Sequence, residues 1–245
     1  MPDGPPKPNG FLLIDKPIGP TSMQAVARIR HRAGKVRTGH GGTLDPRATG
    51  LLILALGPAT RQLKHVVAAA KGYVTDIDLS IISPTDDLEG EIENVPVETP
   101  PSFEEVASAL HSFTGTIMQQ PPVFSAIKMN GCRACDSARQ GKIPELKPRE
   151  VHVSSMHLLE YEWPIARIEI ACGKGFYVRA LARDLGFQLK TGGCCQHIRR
   201  TAIGPFTVEE AMPLDEAPDV IEQHHVIDPD AFLDRLQFSP EVESN

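Results

Sequence analysis

Gly39-His-Gly-Gly-Thr-Leu-Asp-Pro-Arg-Ala-Thr-Gly50 is the stretch whose reading organises the rest of this 245-residue chain. Glycines at 39, 41 and 42 let the backbone approach a neighbour closely or take positive φ, and Asp45-Pro46 holds a carboxylate in a stiff turn. The apolar run Leu51–Leu56 follows at once and predicts a buried strand. A rigid loop set against a buried strand is where a fold holds a reacting group. The pattern is neither a phosphate-binding P-loop, nor a dinucleotide-binding glycine loop, nor a nucleophile elbow.

Working outward, Phe11–Ile14 reads as a short strand closed by the turn residues Asp15-Lys-Pro-Ile-Gly-Pro20. Thr21 or Ser22 can cap a helix running to about Ala33, with Gly34 as its left-handed stop. Tyr73–Ile81 alternates as a half-exposed strand does, and Ser102-Phe-Glu-Glu105 is a capping box opening a helix to about Ser112. Further strands are predicted at Val151–Leu159 and Ile165–Cys172, and a helix from about Tyr177 to Leu189. Strands and helices alternate irregularly, which predicts an α+β fold on a mixed sheet rather than a doubly wound one. The expected organisation is a flexible Pro-rich arm at 1–10, one catalytic domain over 11–212, and an acidic C-terminal extension at 213–245.

The formal net charge of −6 is unevenly spread. Residues 209–245 hold eleven of the 31 acids and one of the 25 bases, so the remaining body carries a surplus of four positive charges. From Met23 to Leu44 there is no acid, whereas Arg28, Arg30, Arg32, Lys35 and Arg37 all fall there, a distribution suited to phosphate. No apolar run is long enough to span a bilayer and the first ten residues lack a signal core, so a soluble, cytoplasmic protein with no membrane association is expected. Five cysteines, an odd number, fit reduced thiols. Cys132-Arg-Ala-Cys135 is a single CxxC, a weak signal, and its candidate partners, Cys194-Cys195 with His197, lack the usual zinc-ligand spacing, so no metal is expected.

The dodecapeptide resembles, almost letter for letter, the signature loop of the TruB family of tRNA pseudouridine synthases. Other motifs of that family follow in its order: Phe11–Pro17, Lys71-Gly-Tyr73, the acidic loop Thr85-Asp-Asp-Leu-Glu-Gly90, Gln120–Lys128 and Cys172–Arg179, so that the likeness covers roughly Phe11 to Val208. The resemblance implies a pseudouridine synthase fold, with a central mixed, mostly antiparallel sheet flanked by helices. It implies an enzyme that isomerises the T-loop uridine of tRNA, uridine 55, with no cofactor. The partner implied is the tRNA T-arm, met by a monomer that needs no obligate protein partner.

By the same resemblance Asp45 is the essential aspartate, Tyr73 packs on the target uracil, and Arg179 is the ion-pair partner of Asp45. His40 contacts the RNA where the target base leaves its stack, Tyr177 and Ile198 line the pocket, and Lys16 and Arg37 meet phosphates, with Gly42 and Thr43 completing the loop's contacts. The sequence departs from the family at Gly41, where bacterial signatures have threonine, at Phe124, where tyrosine is common, and at Ala134-Cys135, in place of a Leu-Tyr pair. Bacterial members often carry a C-terminal PUA domain. The acidic extension is too short for one, so the expected RNA grip is weaker or confined to the T-arm. Two alternatives share these motifs: a tRNA-folding helper that needs no turnover, and a guide-RNA-dependent synthase of the dyskerin type.

Overall fold

A computed structural model describes residues 7–124 and 146–237, and the backbone alone at 128–129 and 132–133. The chain forms two compact units, the first built from residues up to Tyr73 together with those from Arg199 onward, the second from Val74–Ile198.

In the first unit, β1 (Gly10–Lys16) pairs antiparallel with β3 (Thr49–Leu56), and β2 (Thr38–His40) pairs antiparallel with the far end of β3. Leu51 to Leu56 are each fully buried. An apolar residue at every position, rather than at alternate ones, is what a strand covered on both faces requires. Helix α1 (Ser22–Arg32) opens on Thr21, whose hydroxyl accepts from the Gln24 amide while the Gln24 side chain returns to the Thr21 amide. It buries Ser22, Ala25, Val26 and Ile29, and ends at Gly34 with φ +64°. Helix α2 (Leu63–Ala68) is short, and its last carbonyls are capped by the buried Lys71 ammonium, which donates to Val66, Val67 and Ala69. The lysine of the Lys71-Gly-Tyr73 motif therefore closes a helix end.

Strand β4 (Lys71–Asp78) carries the chain into the second unit. There, α3 (Phe103–His111) begins at the Ser102–Glu105 capping box that the sequence predicts. Strands β5 (Gly115–Gln119), β6 (Arg149–Glu162) and β7 (Ile165–Cys172) form an antiparallel set in the order β7-β6-β5. On β7, Ala166, Ile168, Ile170 and Cys172 are buried while Arg167 and Glu169 face solvent, the period-two pattern of a one-sided strand. Helix α4 (Val178–Leu189) ends on Lys190 in the left-handed conformation.

Strand β8 (Cys194–Ile203) returns the chain to the first unit, pairs parallel with β3 through Arg199–Thr49 and Arg200–Gly50, and turns into β9 (Phe206–Thr207). Strand β10 (Met212–Pro213) pairs parallel with β1. The α+β expectation and the mixed, mostly antiparallel sheet are what the chain adopts. Order begins one residue earlier than expected, since Gly10 pairs with Leu56, and Asn9 exchanges hydrogen bonds with Gln223. Residues 1–6 of the expected arm lie outside the described residues.

The acidic segment is not an appendage. Leu214, Ala217, Ile221, Val226 and Phe232 are all buried. Phe232, on the last helix α5 (Pro229–Gln237), lies between Phe11 and Phe206, with ring centroids 3.8 and 4.3 Å away and the rings nearly parallel. Arg235 covers the Phe206 ring at 4.4 Å and pairs with Glu210 at 2.6 Å. The acids occupy the solvent face while apolar residues at wider spacing enter the core, so composition alone hides the packing. The same segment also reaches α1: Asp215 pairs with Arg28 at 2.7 Å, and the Ala217 carbonyl accepts from Arg32. Two of the five bases in the phosphate-suited run are thus engaged within the chain. Arg32→Ala is expected to lower the melting temperature more than it changes the salt dependence of RNA binding, which melts and binding isotherms at two salt concentrations measure directly.

Candidate active site

The first unit carries the dodecapeptide as a braced loop. The Gly41 amide donates to the Ile53 carbonyl, and the Ala48 amide to the Asp45 carbonyl, which closes the turn holding Asp45 half-buried. Ser22, the first residue of α1, latches the loop from below: its hydroxyl donates to the Leu44 carbonyl and accepts from the Leu44 amide, both at 2.8 Å. The Gly42 amide meets His40 Nδ1 at 3.4 Å. Two glycines are required by space: a Cβ on Gly41 would strike the Val66 side chain, and one on Gly50, at φ +99°, would strike the Arg200 backbone.

Two buried cations, Lys16 and Arg200, belong to this loop. Lys16 is 0% exposed, and its ammonium donates to the carbonyls of Pro17 and Pro20 at 2.9 Å and of Pro46 at 3.4 Å, tying the turn after β1 to the Asp45-Pro46 turn. Burial pulls its pKa down to about 8 against the attraction of Asp45, and the neighbouring Arg200 pushes the same way as burial. Lys16 is thus spent on backbone carbonyls of the fold. Arg199 forms a two-pronged pair with Asp15, at 2.7 and 3.1 Å. Of the other expected contacts in this unit, Thr43 and Arg37 are exposed, while Gly42, His40 and Tyr73 are half-buried. Tyr73 lies on β4 on the same side as Thr75 and Ile77, two positions apart each time.

The second unit centres on Arg179, on the first turn of α4. Its guanidinium donates to the carbonyls of Thr85 (3.0 Å) and Phe124 (2.9 Å) and pairs with Asp87 at 3.4 Å, the two side chains being 7% and 10% exposed. Asp87 in turn accepts from the Thr85 hydroxyl at 2.6 Å and the Glu89 amide at 2.9 Å, so the acidic loop is wound around one carboxylate. Asp87 stands inside a recognised motif, yet nothing in its local pattern separates it from Asp86; only the fold aims it at Arg179. Tyr177 exchanges two hydrogen bonds between its backbone and the Gln119 side chain, and the Arg149 guanidinium lies 4.9 Å over its ring. Ile198 is half-buried on β8. Residues 125–127 of the Gln120–Lys128 motif, and Ala134-Cys135, lie outside the described residues. Cys194 and Cys195 are buried thiols, Cys195 lying 3.8 Å from the Thr75 hydroxyl, and no cluster suited to a metal ion occurs among the described residues.

Asp86 is a titratable neighbour of this network. It sits at φ +59° and pairs with Arg183 at 3.2 Å, and burial pushes its carboxyl up to about 6, against the pull of Arg183 and Arg179. An acid whose folded value exceeds its unfolded value takes up a proton on folding. Stability therefore falls as pH rises from roughly 4 towards 6, and the penalty is fully present above that window. Asp86→Asn, which tolerates the left-handed backbone, is expected to raise the melting temperature at pH 7 by about 2–5 °C and to leave it nearly unchanged at pH 4. A shift of equal size at both pH values would assign the effect to something other than the charge.

The N-terminal domain of the TruB family of pseudouridylate synthases matches residues 30–178, which include the whole signature loop. This chain belongs to the TruB family. Within that family it is 42% identical over 209 residues to tRNA pseudouridine synthase B of Bartonella quintana, covering 85% of this chain and 77% of the relative. It is 45% identical over 214 residues to the enzyme of the same name from Synechococcus sp., covering 86% and 71%. Among solved structures, a chain of a Cbf5-Nop10-Gar1 complex superposes with a TM-score of 0.65 at 30% identity, over 84% of this chain and 53% of that one. A chain of an H/ACA RNP bound to a substrate RNA superposes with a TM-score of 0.64 at 26% identity, over 84% and 51%. The chain thus spans about half the length of these structural neighbours.

Proposed function

We propose that this chain isomerises uridine to pseudouridine in tRNA, at uridine 55 of the T-loop, with Asp45 as the reacting carboxylate. The observation that carries this reading is the signature loop itself, matched almost letter for letter and braced on both sides of Asp45 by Ser22 and Lys16. The reaction breaks the N1–C1′ bond, joins C5 to C1′, moves the C5 proton away and leaves N1 protonated. Electrons and atoms balance without an oxidant or reductant. The protein must supply a charged carboxylate in a pocket poor in water, and Asp45 can attack C1′, add to the uracil ring or remove a sugar proton. Arg179 is the guanidinium assigned to Asp45, which it would keep in the anionic form. Tyr73 packs on the uracil and accepts the C5 proton directly or through water.

The target base lies inside a folded loop and must be turned out of its stack, at a cost of about a few kcal/mol offset by backbone and stacking contacts. His40 is assigned the contact with the RNA at that point and Thr43 a further RNA contact, with Tyr177 and Ile198 assigned to the pocket lining. Aromatic residues are only 5% of the chain, which favours recognition by shape and phosphate over a stacking platform. Arg37, exposed and without an ion pair among the described residues, is the assigned phosphate contact. Arg37→Ala is expected to weaken tRNA binding across sequences and to reduce the slope of log affinity against log salt by about 0.7–0.9. An unchanged slope assigns the contact elsewhere. The cytoplasm, where tRNA is processed, is the proposed location.

Release of tritium from a tRNA transcript labelled at uridine C5, with no other protein or guide RNA present, tests the reading. The expected result is one equivalent released per T-loop uridine. Tight binding without release would reject catalysis and leave an RNA-folding helper, whereas release only on addition of a guide RNA and partner proteins would favour the dyskerin-type alternative.

A further inference from the structure

Arg200 is the largest fully buried side chain of the described residues, at 2% exposure. Its guanidinium donates through Nε to the Leu51 carbonyl at 2.7 Å and through Nη2 to the Gly42 carbonyl at 3.2 Å. These two carbonyls stand at the two ends of the segment 42–51, and Asp45 lies between them. The backbone of Arg200 is equally constrained, since it pairs parallel with Gly50, where a side chain would collide with it. A single residue of β8 therefore holds the loop at entry and at exit.

Among the described residues the Arg200 guanidinium forms no ion pair, the Asp15 carboxylate being taken by the preceding residue, Arg199. A buried cation held only by carbonyls is costly, and a well-packed apolar side chain of similar volume would fill the same space with less penalty. Holding the loop does not by itself account for the charge. What lies close enough to use it is the carboxylate loop and the second cation: Lys16, which ties down Pro46, interacts favourably with Asp45 and unfavourably with Arg200. Two positive groups, from β1 and β8, are kept in mutual repulsion around one turn that carries an anion. Such an arrangement is stable in a dry interior when the anion offsets both.

We propose that Arg200 is a positioning residue for Asp45, bridging the carbonyls of Gly42 and Leu51 and placing, with Lys16, fixed positive charge beside the turn that carries the carboxylate. The proposal rests on the reading of Asp45 as the reacting group. It adds to Ile198 a second residue of β8, one that no sequence motif singles out.

A role confined to filling space and a role that needs charge are separated by Arg200→Met and Arg200→Lys in the full chain. Single-turnover tritium release is measured at saturating labelled tRNA transcript, alongside filter binding and thermal melts of the same proteins. Arg200→Met is expected to lower the single-turnover rate constant about 100-fold, with tRNA affinity within about threefold of wild type, as misplacement or loss of a fixed charge does. Arg200→Lys, which restores charge but not the fork, is expected to recover at least about tenfold of that loss. Equal rates for the Met and Lys variants, or a loss lying wholly in tRNA affinity, would overturn the proposal while leaving the assigned reaction intact. If the Met variant melts below the assay temperature, Arg200→Gln replaces it, being polar and uncharged, and the same comparison with Lys decides. Absence of release by the wild type overturns the assigned reaction and this inference with it.

Discussion

Asp45→Asn is expected to lower the single-turnover rate of tritium release from tRNA by about four orders of magnitude, the scale on which loss of a reacting group is felt. The substitution keeps shape and removes charge. The loop should survive it, because the contacts that hold the turn are made by the backbone of Leu44, Asp45 and Ala48 and by the side chains of Ser22 and Lys16. Affinity for tRNA should therefore stay within a few-fold of wild type, while the melting temperature should fall, because Lys16 and Arg200 lose the anion that offsets them. A residual rate within tenfold of wild type would place the reacting group elsewhere. Loss of rate accompanied by an equal loss of affinity would show that Asp45 shapes the RNA surface and takes no part in the chemistry.

The second large effect concerns stability. Phe232→Ala removes the middle ring of the Phe11–Phe232–Phe206 stack from a site with no exposure at all. A buried phenylalanine truncated to alanine costs about 3–5 kcal/mol, and the lost ring pairs add to the effect of area alone. Against a total stability of about 5–15 kcal/mol, a loss of that size shifts the denaturant midpoint by a large fraction. Chemical denaturation of the variant at fixed pH measures it. A loss below about 1 kcal/mol would mean that the last helix is dispensable to the core, as an acidic extension would be.

The elements that read clearly from the sequence are those whose signal is local. Helix α1 has a capping threonine, a basic last turn and a glycine stop, and it forms over Ser22–Arg32. The predicted strand Ile165–Cys172 has the bounds of β7, because its residues from Ala166 to Ile170 alternate cleanly between core and solvent. The Ser102 capping box opens α3 where expected. Strand β8 escaped notice since Cys194-Cys-Gln-His-Ile-Arg-Arg-Thr-Ala-Ile203 neither alternates nor runs apolar: its arginines are accepted by the fold through the Leu51 and Gly42 carbonyls and through Asp15. Helix α5 was hidden by the acids around it, whose charge dominates composition although one phenylalanine decides where the helix packs.

The candidate site divides along the same line. The loop from Gly39 to Gly50 was legible because glycine spacing, an Asp-Pro turn and a following apolar strand are consecutive along the chain, and local backbone preferences act over that range. Family membership followed from the order of such local motifs. The pairing of Arg179 with Thr85 and Asp87, the bridge of Arg200 across the loop, and the stacking of Phe232 on Phe11 join residues from about 90 to more than 200 positions apart. Those pairings were settled by tertiary structure alone, since a buried charge or ring takes its partner from whatever the completed fold brings within a few ångströms, and no neighbour in sequence carries that information.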